Sequence, residues 1–159
     1  MDERFLPIYI VLRETGGRRG EVLGLTHDRV DRERRMVTFV KTKTGKVWHM
    51  FLSDAAMEAI DSVPPFPGCP YVFYNPKTGT RWYDARKPWE AARKAANHPE
   101  LKPKNLRTAM GTRLGEAGLE LDWICRVLGN TRALQRSTTR KVGPETASKR
   151  ALKVLKGGK

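Results

Sequence analysis

At 159 residues and 18.1 kDa, with 39% hydrophobic content, the chain can bury one core and not two, which excludes a multidomain assembly. Its longest apolar runs, such as residues 6–12, fall far short of the ~20 residues that a bilayer crossing demands, and no signal-type segment opens it. Thirty-one Lys plus Arg against seventeen Asp plus Glu give +14, a field that attracts polyanions, so nucleic acid is the expected partner. Cys69 and Cys125 lie far apart without metal-ligand spacing; neither a disulfide framework nor a zinc site is expected, and a reducing cytoplasm fits.

In chain order, Ile8, Val11 and Leu12, then Val22, Leu23 and Leu25, predict two helical segments broken by Gly16 and Gly17. Two strands follow, Met36 to Val40 and Val47 to Leu52. They flank Lys41 to Lys46, where Gly45 suits a hairpin turn. Ser53 is a natural N-cap for a helix through Met57, Ile60 and Val63 that Pro64 and Pro65 stop. Tyr71 to Tyr74 reads as a third short strand. Helices are predicted from about Asp84 to Ala96, from about Lys104 to Ala117 with Leu106, Met110 and Leu114 on one face, and around Trp123 to Leu128 before Gly129.

From Thr131 onward nine basic residues stand against Glu145 alone, so more than half of the net charge sits there. Ala147, Ala151, Leu152 and Leu155 recur at helical spacing after Pro144, favouring a terminal helix over a disordered arm. The expected architecture is α+β and mainly helical, with a small antiparallel sheet. One domain spans 1–156, its basic segment 131–156, followed by a frayed 157–159.

Four features carry chemistry when read together: Thr15-Gly16-Gly17-Arg18-Arg19-Gly20-Glu21, the lysine hairpin around Lys43, Lys104-Asn105-Leu106-Arg107, and Leu128-Gly129-Asn130. In this order and at these spacings they resemble the catalytic domain of the tyrosine recombinases, the phage integrase family, over nearly the whole chain. That pattern runs T-G-x-R-x-G-E, a hairpin with T-K-T-G-K, H-x-L-R in a helix, L-G-H, and a nucleophilic tyrosine. The resemblance implies an integrase-like DNA breaking-rejoining fold. In it two arginines hold the scissile phosphate, a hairpin lysine protonates the leaving 5′ oxygen, and tyrosine forms a covalent 3′ link.

The residue types suit that task. A phosphodiester in transition gathers negative charge on its non-bridging oxygens, and planar guanidinium forks match it bidentately, so Arg18 and Arg107 are the expected clamps. Glu21, three residues beyond Arg18, is expected on the same helical face to orient that guanidinium. Lys43 can swing to a departing oxygen in a cationic setting that lowers its pKa. For Lys41, Lys43 and Lys46 a charged edge hairpin that resists aggregation is an equal alternative. Trp82, Tyr83 and Trp89 are expected to pack in the core or an interface rather than to stack on bases. Scattered His27, His49 and His98 suggest no metal site, and Gly45-Lys46-Val47 fails as a P-loop, so no cofactor is expected.

Three positions depart from the family pattern. Lys104 replaces the first histidine, as in the K-x-L-R-T of the related type IB topoisomerases. Asn130 replaces the second, and a carboxamide donates a hydrogen bond but transfers no proton. The nucleophile position, counted from Leu128-Gly129 or from Thr138-Thr139, falls on Thr139 or Val142, and all four tyrosines (Tyr9, Tyr71, Tyr74, Tyr83) precede Arg107. An alkyl alcohol is a poorer nucleophile and leaving group than a phenol. Removing the nucleophile from a protease site costs on the order of 10⁶ in rate.

The expectation is therefore a degenerate integrase domain that binds double-stranded DNA through Arg18, Arg19, Lys41, Lys43, Lys46, Lys104, Arg107, Arg132, Arg136, Arg140 and Lys141. An active recombinase or further copies of the chain are its candidate companions on DNA. Two other classes stand beside it: an enzyme (recombinase, topoisomerase-like or nicking) with a substitute or partner-supplied nucleophile, and an RNA-binding basic protein.

Overall fold

The computed structural model describes residues 3–40 and 47–129. Helix α1 (Leu6–Thr15) starts with Pro7 in its first turn and buries Ile8, Val11, Leu12 and Thr15, the spacing of one helical face. Gly16, at φ 62°, ends it, and its N–H donates to the Leu12 carbonyl. The Thr15 hydroxyl donates to the Val11 carbonyl (2.6 Å) and accepts from the Gly17 N–H (3.1 Å), so this polar side chain is buried with its hydrogen bonds made. α1 packs against both α3 (Asp54–Asp61) and α5 (Pro103–Glu116), which makes it the central helix.

The antiparallel sheet has the order β1-β2-β3: β1 (Val30–Asp31), β2 (Met36–Val40) and β3 (Val47–Phe51). Val37 and Phe39, with Trp48 and Met50 opposite, alternate into the core, as the two-residue period requires. β1 is not anticipated by the sequence pattern, because two residues are too few to show alternation. A second sheet joins β4 (Tyr74–Asn75) to β5 (Thr80–Arg81).

Several boundaries differ from expectation for visible reasons. Tyr71 to Tyr74 is not a continuous strand: Tyr71 makes an isolated bridge to Thr26, and pairing begins only at Tyr74. Val72 and Phe73 between them are buried, and the Val72 N–H donates to the Leu25 carbonyl (2.9 Å) outside any strand ladder. α2 (Arg19–Val22) is a single turn that excludes Leu23 and Leu25. The Arg81 guanidinium donates to the carbonyls of Gly20 (2.6 Å) and Leu23 (3.3 Å), satisfying the end of that turn from a distant strand. Asp84 stays outside α4 (Arg86–Ala95), its carboxylate accepting the Arg86 N–H at 2.9 Å. Ser53 caps α3 as expected, accepting from the Ala56 N–H, but α3 stops at Asp61, short of Val63. α6 (Leu121–Val127) closes toward Gly129, at φ 61°.

Trp89 is buried against Phe5, its indole N–H donating to the Leu101 carbonyl, and Trp82 packs on the core edge. Of the two expected placements, core or interface, Tyr83 is not in the core: it is 74% exposed, with the Arg81 guanidinium over its ring. The fold is mainly helical α+β with small antiparallel sheets. Among the described residues no helix is long and apolar enough to cross a membrane.

Candidate functional site

Arg18 is the residue from which α2 starts, its backbone extended (φ −72°, ψ 145°) rather than helical. The Glu21 carboxylate reaches back and accepts twice, from the Arg18 N–H (3.0 Å) and from its guanidinium (2.8 Å). The expected pairing is present, but it arises from helix capping and not from a shared helical face. Glu21 is 6% exposed and Arg18 39%, so a buried anion holds a cation whose outer edge remains open. Arg19, the next residue, is exposed, and its charge reaches Asp84.

Arg107 projects from the second turn of α5 toward the same place. Its Nη1 donates to the Gly16 carbonyl at 2.8 Å, 91 positions away in the chain, and its Nη2 donates to the Leu128 carbonyl. Burial, then the nearby Arg18 charge, lowers the Arg107 pKa to about 10, while Glu21 opposes the shift. The guanidinium is still charged at neutral pH. Arg18, Glu21 and Arg107 thus form one cluster across the α1–α2 turn, with two cations facing one internal anion. The excess positive charge is what an external anion would neutralise.

α5 begins at Pro103, and the Asn105 carboxamide accepts the Lys102 N–H at 2.8 Å. Asn105 therefore serves the helix start, while Lys104 stands exposed one turn before Arg107. Lys41, Lys43 and Lys46 lie outside the described residues, between the paired ends Val40 and Val47. Asn130, Arg132, Arg136, Thr139, Arg140, Lys141 and Val142 also lie outside them, as does the expected terminal helix.

Sequence reasoning missed the backbone carbonyls of Gly16 and Leu128 as partners of Arg107. The glycines of Thr15-Gly16 and Leu128-Gly129 are their visible traces, since each adopts the left-handed backbone that ends a helix.

The mainly helical α+β frame with small antiparallel sheets is that of solved tyrosine recombinase catalytic domains. The phage integrase family model matches residues 4–135, and the chain belongs to that family of DNA recombination and integration proteins. Among solved structures, the Tn1549 transposon integrase in complex with circular intermediate DNA superposes with a TM-score of 0.66 at 19% identity, covering 92% of this chain and 57% of that one. XerA recombinase gives 0.69 at 20% identity, covering 99% and 60%. The chain spans less than two thirds of either structure. No curated protein matches it.

Proposed function

We propose that this chain is a DNA-binding domain that grips the backbone of double-stranded DNA with Arg18 and Arg107 and does not cut it by itself. The observation that carries the reading is the shared location of two guanidinium groups from distant segments, one braced by Glu21 and one by two carbonyls. Family membership supports duplex DNA as the polyanion. The Tn1549 integrase is itself complexed with circular intermediate DNA, and that complex supports the same choice here. Residues 1–156 are read as one domain, with Lys43, Lys104 and Asn130 as further family-equivalent site positions. Arg19, Lys41, Lys46, Arg132, Arg136, Arg140 and Lys141 extend the cationic groove.

Thr139 or Val142 at the position where the family carries its tyrosine supports loss of covalent strand exchange. A nicked suicide substrate tests it. The expected result is duplex binding without a detergent-stable adduct or a new nick. An adduct, alone or with an active recombinase added, would establish the enzymatic reading instead. Arg18→Ala and Arg107→Ala are each expected to weaken duplex binding by about 2–5 kcal/mol, because a phosphate charge is left unpaired. An equal loss from Lys153→Ala, or a preference for structured RNA over duplex DNA, would reject the clamp.

A further inference from the structure

The two carbonyls that hold Arg107 close two different helices, and each sits at a left-handed glycine. Gly16 (φ 62°) ends α1, and Gly129 (φ 61°) directly follows Leu128 at the end of α6. One aromatic pair lies against both turns. Phe39 and Trp48 are cross-strand partners on β2 and β3, with ring centroids 4.7 Å apart. A β-carbon built on Gly129 would stand 3.2–3.4 Å from three atoms of the Trp48 ring, and one built on Gly17 would stand 3.4 Å from Phe39 Cζ. The rings therefore rest directly on the backbone that presents the carbonyls. Trp48 is 5% exposed, and its indole N–H has no hydrogen-bond partner among the described residues. Among the described residues the ring is held by packing contacts.

We propose that Trp48, packed at a tilt against Phe39, is a positioning residue for Arg107, acting through Gly129 and the Leu128 carbonyl while Phe39 supports the Gly16-Gly17 turn. The proposal rests on reading Arg107 as a phosphate ligand. A guanidinium has five N–H donors in a rigid planar fork; the two engaged by fixed carbonyls hold that plane and leave three donors in set directions for an incoming anion. Such a fork loses little freedom when it meets an oxyanion. Lysine in the same place has three donors on one nitrogen, so two carbonyl bonds would leave a single donor and no bidentate contact for a phosphate.

The test uses the full 159-residue chain. ¹⁵N NMR of the free protein is expected to show the two Arg107 Nη groups as separate signals in wild type and in Trp48→Phe, which keeps a flat ring. Averaging by free rotation is expected in Trp48→Leu. On duplex DNA, Trp48→Leu is expected to lower affinity about tenfold and to reduce the salt slope by about one phosphate contact. In an Arg107→Ala background the same change should have less than a twofold effect, whereas general destabilisation would act equally in both. Unchanged Nη signals in Trp48→Leu, or equal affinity losses in the two backgrounds, overturn the proposal. If Trp48→Leu does not fold, Phe39→Leu, which weakens the same packing from the other strand, gives the same two readings. If wild type binds no duplex, the DNA reading falls and the NMR comparison alone judges the positioning role.

Discussion

Glu21 accepts from Arg18 at two points, so its carboxylate both starts α2 and restrains a cation that would otherwise sample many rotamers. Glu21→Gln keeps an oxygen for the Arg18 N–H but discards the charge that strengthens the guanidinium bond. It is expected to cost about 1–2 kcal/mol of stability in urea denaturation and to lower affinity for duplex DNA. The exposed Asp84–Arg86 pair supplies a pH test. Hydrogen bonds from the Arg86 side chain and backbone hold Asp84 at about 2, against an ordinary 3.8. Because the folded pKa is depressed, the favourable contribution is present above pH 3.8 and is lost as pH falls through about 2. Carboxyl ¹³C NMR is expected to follow that titration. Arg86→Ala should return the midpoint toward 3.8.

At the scale of elements, two glycines of one motif play opposite parts. Gly16 adopts φ 62°, and a β-carbon there would stand 2.8 Å from Leu128 Cδ2 and 3.1 Å from Met110 Cγ, at the junction of α1, α5 and α6. Gly16→Ala is expected to lose about 2 kcal/mol or more, combining left-handed backbone strain with overpacking. Gly20 lies inside α2 with nothing within 4 Å of its would-be β-carbon. Gly20→Ala is expected to gain about 0.4–1 kcal/mol through helix propensity and a less free unfolded chain. Thermal or urea unfolding of the two variants checks the pair; equal signs would contradict the packing described for α1.

At the scale of the molecule, the excess of +14 makes any duplex complex strongly salt-dependent. With roughly six phosphates contacted, about 10³ in affinity is expected to vanish between ~50 and ~200 mM salt, as measured by fluorescence anisotropy. A slope near zero would remove the groove.

The chain's own order of residues determined the class, the helices with clear apolar faces, the β2 and β3 strands, the Ser53 cap and the motif that singles out Arg18, Glu21 and Arg107. The helices, strands and cap depend on neighbours within one or two turns, where spacing translates directly into a face or a cap, and the class on the order of four short motifs along the chain. Only the tertiary structure decided that Arg81 closes α2, that Tyr83 is exposed under a guanidinium, and that Arg107 rests on carbonyls from Gly16 and Leu128. Every residue presents a backbone carbonyl, so sequence cannot mark the ones that matter. They become partners only when packing brings the ends of α1 and α6 to the same side chain, with Phe39 and Trp48 beneath them.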